Sequence, residues 1–233
     1  MDLRTWTRRR WLGLLGSSPL VAGTSRAADP PASDSRPGGA AEALDALKAG
    51  NRRFAGQKPR HAHQAADWRA HLVGGQQPFA TILACSDSRV PPELVFDQGF
   101  GDLFVIRVAG NVVADDVVGS IGYALRHLKT RLVVVMGHEG CGAVTAALEA
   151  IDGKGAEPRF IAKLLSLITP GLRNLDPKLT GTTRVNAGVE ANVRSSMEHL
   201  AGLPGARDFI ENQQCRLVGA VYELGTGRVR FLD

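Results

Sequence analysis

Two short runs of aliphatic residues constrain this chain more than any other feature, because each stops abruptly in metal-binding chemistry. Thr81-Ile82-Leu83-Ala84 runs into Cys85-Ser86-Asp87-Ser88-Arg89, and Leu132-Val133-Val134-Val135-Met136 runs into Gly137-His138-Glu139-Gly140-Cys141-Gly142. Continuous apolar runs of this length read as strands buried on both faces. Helical spacing lies between them, so the predicted fold class is α/β, a central mostly parallel sheet flanked by helices. In such sheets ligands collect at the carboxyl ends of the strands, and Cys85, His138 and Cys141 stand at those ends. Two thiolates and an imidazole are three ligands for one tetrahedral Zn2+, with the fourth position left for water, which is the pattern of a catalytic site. A closed structural site needs a fourth ligand close by. The only nearby candidate is Asp87, and Arg89 competes for its carboxylate.

The remaining elements follow from periodicity and punctuation. Ala41–Phe54 places Leu44, Leu47 and Phe54 near one helical face. Phe79–Ala84, Leu103–Val108 and Leu132–Met136 are predicted strands. Pro91-Pro92 starts a short helix at Glu93, and Asp115-Asp116 is expected to cap a helix running to about Lys129. Cys141–Ile151, Arg159–Ile168 and Val185–Leu203 are predicted helices. Cys215–Glu223 alternates like a strand, and Gly225-Thr226-Gly227 turns it into a last strand, Arg228–Leu232. His61, His63 and His71 lack liganding spacing and are expected at the surface. Cys215 is expected to be a small buried hydrophobe, and the odd count of three cysteines argues against a disulfide framework.

Charge adds little about the domain but marks the N-terminus. The net charge is +5, and residues 1–28 carry Arg4, Arg8, Arg9, Arg10 and Arg26 against Asp2, leaving +1 for the rest. No basic stripe interleaved with aromatics remains there, so a nucleic-acid partner is not expected. Thr7-Arg8-Arg9-Arg10-Trp11-Leu12 resembles a twin-arginine export motif, followed by a short apolar stretch and the small residues Ser25, Ala27 and Ala28. The stretch is too short and interrupted for a membrane span. The expected organisation is a signal peptide over 1–28, a flexible linker over 29–40 and one domain over 41–233, delivered to the periplasm or secreted. Twin-arginine export moves folded protein, so the two cysteines would cross already protected by metal.

The motifs also carry a family resemblance. Cys85-Ser86-Asp87-Ser88-Arg89-Val90, Arg107-Val108-Ala109-Gly110-Asn111 and His138-Glu139-Gly140-Cys141-Gly142 resemble the β-class carbonic anhydrases, in order, over roughly Ala41 to Asp233. The resemblance implies one zinc per chain on Cys85, His138 and Cys141, and four parallel strands with a fifth, antiparallel one. It implies reversible hydration of carbon dioxide to bicarbonate by a zinc-bound hydroxide, with Asp87 and Arg89 as catalytic residues. It implies a homodimer or larger homo-oligomer. Gln76, Phe104 and Tyr123 match the substrate-binding positions of the subtype whose metal site rests open. The expected partners are therefore CO2 and bicarbonate, further copies of the chain and the twin-arginine machinery. A relative that hydrolyses CS2 or COS, and a non-enzymatic zinc or bicarbonate-sensing module, are the rival readings. The paired Asp87 and Arg89 speak against the second.

Overall fold

The computed structural model describes residues 36–204 and 215–232; the segment 1–28, read from sequence as an export signal, lies outside the described residues. A five-stranded sheet forms the centre, in the order β2-β1-β3-β4-β5. Its strands are β1 (Ala80–Ala84), β2 (Leu103–Arg107), β3 (Leu132–His138), β4 (Arg216–Tyr222) and β5 (Val229–Leu232). The first four are parallel and β5 pairs antiparallel to β4. Seven helices accompany them among the described residues: α1 (Ala40–Ala55), α2 (Ala66–His71), α3 (Pro92–Val95), α4 (Asp115–His127), α5 (Gly142–Ile151), α6 (Arg159–Leu172) and α7 (Gly181–Gly202).

The apolar runs form strands because both of their faces are covered. Every residue of β1 and β3 is buried. Val133 and Val135 pack on one side with Val117 and Ile121 of α4, Val144 of α5, Ile168 of α6 and Val193 of α7. Leu132, Val134 and Met136 pack on the other with Leu44 and Leu47 of α1 and Phe96 beyond α3. β2 is the edge strand; four of its residues are partly buried and Arg107 is exposed. One polar side chain ties the far edge together: Asn51 of α1 donates to the carbonyls of Val95 and Gly227 and accepts from the amide of Val229, bonding α1 to the β4–β5 hairpin.

Several boundaries differ from the sequence-based expectation. β3 does not stop at Met136 but runs through Gly137 to His138, which pairs with Tyr222 of β4. The ligand histidine is therefore the last residue of a buried strand, with its backbone held by the sheet. Gly137 is required there: a Cβ would lie 2.8 Å from Val193 and 2.9 Å from Val189, so α7 sits directly on this point of the strand. Asp115 and Asp116 do not cap α4. Ala114 occupies that position, and the two aspartates stand in the first turn, where they favour the helix through its dipole. Cys141 caps α5 rather than beginning it. β4 is buried on both faces over its last five residues, although its sequence alternates.

The histidine stretch holds a further correction. His63 is not a loose surface residue. Its Nδ1 bonds the Asp102 carboxylate at 2.8 Å, and its ring stacks on Trp68 at 3.8 Å between centroids. Asp102 also accepts from the amide of Gly99, so the segment containing α2 is pinned to the turn before β2. Cys215, as expected, is buried at the start of β4, and burial pushes its thiol up to about 11. No helix of the described residues is long and apolar enough to cross a membrane.

Candidate metal centre

The adjacency of β1 and β3 brings the two motifs together. Ala84 pairs with Met136, so Cys85 leaves β1 level with Gly137, and His138 follows at the end of β3. The chain turns through Gly140, in the left-handed region at φ 61°, and Cys141 arrives at the start of α5. The ligand atoms of Cys85, His138 and Cys141 all lie within 4.8 Å of one another, and all three residues are buried. Among the described residues this is the cluster with the donors to hold a metal ion.

The chemistry of the cluster fits a dication. The sulfurs of Cys85 and Cys141 are 4.0 Å apart. The Cys141 thiol and the backbone amides of Asp87 and Gly110 lower the Cys85 pKa, against the effect of burial. The Cys141 pKa is driven up, first by its hydrogen bond with Cys85, then by burial and the charge on that neighbour. The protein alone therefore favours one thiolate and one thiol. A cation between them is what makes both thiolates stable. His138 Nδ1 lies 2.9 Å from the Glu139 carbonyl, which can only accept, so Nδ1 carries the proton. Nε2 is then a lone-pair donor, and it is buried with no hydrogen-bond partner among the described residues. A buried acceptor without a donor needs a reason, and a metal supplies it. Two sulfurs and one imidazole nitrogen match the catalytic zinc donor set, three protein ligands with an open position.

Asp87 sits above the cluster on the loop after β1. Arg89 grips it from three directions: the backbone amide donates to Oδ1 at 2.9 Å, Nε to Oδ1 at 2.9 Å and Nη2 to Oδ2 at 2.8 Å. The hydrogen bonds from the Arg89 side chain and backbone amide hold its carboxyl well below the usual carboxylate range. Oδ2 is 3.8 Å from His138 Nε2, so the carboxylate borders the metal position while remaining bound to the guanidinium. Arg107, at the end of β2, donates from Nε to the Cys85 carbonyl at 3.1 Å and from Nη2 to the Asp87 carbonyl. It clamps the backbone of the ligand loop, a role the sequence motif did not disclose. Gly110, in the left-handed region at φ 67°, donates its amide to Cys85 Sγ at 3.3 Å.

Three expected site residues are not brought to the cluster within one chain. Phe104 pairs with Thr81, four residues before Cys85, which is ~13 Å along the strand. Tyr123 is half exposed on α4 with its ring 6.3 Å from that of Phe104. Gln76 precedes β1 and lies near Arg36 and His127, beyond the opposite end of the strand. Cys215 stays apart from the metal cluster, as expected.

The ligand set predicts a simple loss. Cys141→Ser should leave the purified protein with little bound zinc, measured by elemental analysis after gel filtration. Stoichiometric zinc in that variant would remove Cys141 from the ligand set.

Known proteins share this arrangement. The family profile described as carbonic anhydrase matches residues 80–229. A carbonic anhydrase 2 of Mycobacterium tuberculosis is 39% identical over 192 residues, 82% of this chain and 92% of the relative. A carbonic anhydrase of Mycolicibacterium smegmatis is also 39% identical, covering 81% of this chain and 91% of the relative. Among solved structures, a tetrameric β-carbonic anhydrase of the ascomycete Sordaria macrospora superposes with a TM-score of 0.67 at 29% identity, covering 79% of this chain and 93% of that one. With its cysteine, histidine, cysteine centre on the strand ends of a parallel sheet, this chain belongs to the β-class carbonic anhydrases.

Proposed function

We propose that this carbonic anhydrase works from an open resting site, in which Asp87 stays with Arg89 instead of closing onto the metal. The reaction is the reversible hydration of carbon dioxide to bicarbonate and a proton, with zinc as cofactor. The observation behind the open site is the complete pairing of Asp87. Both of its oxygens accept from Arg89, so swinging the carboxylate onto the metal would cost charge-assisted bonds that hold it where it is.

Cys85, His138 and Cys141 hold the zinc, which when bound supplies the Lewis acidity that activates water near neutral pH. Asp87 orients that water. Its carboxyl is held so low by Arg89 that it accepts a hydrogen bond throughout the working pH range and is too weak a base to remove the proton itself. Its contribution is positional: it aims the oxygen lone pair toward the carbon of CO2. Arg89 keeps the carboxylate ionised and in place, and Arg107 keeps the loop that carries it.

Gln76, Phe104 and Tyr123 serve the site of a second copy of the chain. Within one chain they lie away from the metal cluster, Gln76 in the segment before β1, Phe104 on the edge strand and Tyr123 on a half-exposed helix face. A homodimer that joins this edge to the metal end of its partner would let Gln76 donate to a substrate oxygen. Phe104 and Tyr123 would wall an apolar slot suited to CO2. The tetrameric assembly of the Sordaria relatives supports a homo-oligomer. The N-terminal Arg8-Arg9-Arg10 motif supports export of the folded, metal-loaded protein by the twin-arginine route.

Four measurements test this. Two thiolate ligands cancel the charge of a dication, so water activated here is less acidic than the ~7 of a three-histidine site. The kcat/KM for hydration should therefore keep rising above neutrality, to ~8 or beyond. Arg89→Gln should let the Asp87 carboxyl return toward ~4 and lower kcat/KM by ~10-fold or more through lost positioning. A plateau already reached at pH 6, or a fully active Arg89→Gln, would remove the open-site reading. For the shared site, mixed oligomers are decisive. Cys85→Ser supplies a chain without a metal centre, and Gln76→Ala supplies one that cannot serve its partner. Refolding the two together should recover activity that neither shows alone; no recovery, or an active monomer by light scattering, contradicts it. For export, changing Arg8, Arg9 and Arg10 together to Lys should trap the protein in the cytoplasm with its leader uncleaved, and normal delivery would refute the route.

A further inference from the structure

Helix α7 contributes no metal ligand, yet two polar side chains on its buried face reach the turn beside Cys85. Asn192 is buried and donates from Nδ2 to the carbonyl of Gly110 at 2.8 Å. Ser196, one helical turn on, reaches the carbonyl of Asn111 at 3.5 Å. The residues they hold are unusual. Gly110 and Asn111 are consecutive left-handed residues, at φ 67° and φ 44°. Such a conformation is sparsely populated for a non-glycine residue and persists only where its surroundings impose it. The Asn111 amide closes the turn on the Val108 carbonyl at 2.9 Å. A side chain at Gly110 would be strained by its positive φ and would crowd Ile168 Cδ1, 2.6 Å from the Cβ position, and Ala143 Cβ, 3.1 Å from it. The same glycine sends its N–H to Cys85 Sγ at 3.3 Å.

We propose that Asn192 is a positioning residue for the metal centre, holding the Gly110–Asn111 turn so that the Gly110 N–H points at the Cys85 sulfur. The two bonds belong to the two peptide groups that flank the Gly110 Cα, and only the φ and ψ of that residue relate them. Fixing the carbonyl on one side therefore fixes the direction of the N–H on the other. Glycine is the residue with the widest choice of φ and ψ, so without the Asn192 bond nothing in its own chemistry keeps it in this well. An N–H aimed at a thiolate withdraws electron density from the sulfur, and hydrogen bonds around a ligating sulfur tune the metal it holds. A sulfur that donates less leaves the zinc more electrophilic and is harder to protonate, which slows metal loss.

Asn192 stands at this place for a physical reason. On the face of α7 that carries Val189, Val193 and Leu200, an amide is costly to bury unless its hydrogen bonds are satisfied. Its partner is the carbonyl of the strained turn. The helix also sits directly over Gly137, next to His138. One element thus supports the backbone beside two of the three ligands.

The inference rests on Cys85 being a ligand, and the test separates the two. Asn192→Leu and the near-isosteric Asn192→Asp remove the donor, while Ser196→Ala removes a neighbouring bond that does not lead to sulfur. All are prepared with zinc and, separately, with cobalt in its place. With Asn192 altered, zinc should remain stoichiometric, but its transfer to a chelator should quicken by ~10-fold or more. The sulfur-to-cobalt charge-transfer band should move to longer wavelength, because an unsupported sulfur gives up its electron more readily. Ser196→Ala should change neither. Loss of both variants to misfolding leaves a measurement on the unaltered protein, the hydrogen exchange of the Asn192 side-chain amide and the Gly110 amide. Both should slow when metal binds and quicken together when it is stripped. Wild-type spectra and zinc release in folded Asn192 variants, or an Asn192 amide indifferent to metal, overturn the proposal. Failure to bind cobalt or zinc even in the unaltered protein would instead overturn the ligand assignment.

Discussion

Two sulfurs 4.0 Å apart in a buried site cannot both carry charge unless a cation lies between them. The rest of the structure answers that requirement. The protein lowers the pKa of one thiol with hydrogen bonds and leaves the other protonated, so the site is complete only with a dication. The neutral imidazole of His138 adds a third donor without adding charge. The centre ends near neutrality, which permits it to be buried and at the same time limits how strongly it acidifies water.

The charge outside the centre is kept separate by geometry. Asp87 is close enough to touch what binds the metal, yet its charge is committed to Arg89. That pairing fixes the carboxylate beside the metal ligands. Arg107 performs a different task with the same chemical group. It bonds carbonyls rather than a carboxylate, and so shapes the loop instead of neutralising it. An arginine fork can serve either role because its donors are rigid and its charge is permanent.

Much of this was legible in the residues. The apolar runs that became β1 and β3 are continuous because both of their faces are buried, and that pattern distinguishes a parallel sheet from an amphipathic one. The ligands could be read because two cysteines and a histidine follow two apolar runs, where a parallel sheet gathers its ligands. The surface expectation fails for His63 because its partners Trp68 and Asp102 lie five and 39 residues downstream, a spacing with no periodic signal. Asp115 and Asp116 resembled caps but act from the first turn, a difference of one residue that propensity does not resolve. The signal for Asn192 was present as a polar residue on the apolar stripe of α7, but its meaning depended on what that stripe faced.

The sequence by itself determined the elements, the ligand types and the pairing of Asp87 with Arg89, because each depends on chemistry between residues close in the chain. Only the tertiary structure decided that Cys85 meets Cys141 across 56 positions, that Asn192, more than fifty residues beyond His138, bonds the turn donating to sulfur, and that Gln76, Phe104 and Tyr123 lie away from their own metal centre. Those relations follow from strand order and from the path of the backbone through left-handed turns. Neither leaves a periodic trace in the residues, since both are set by which surfaces must be buried together.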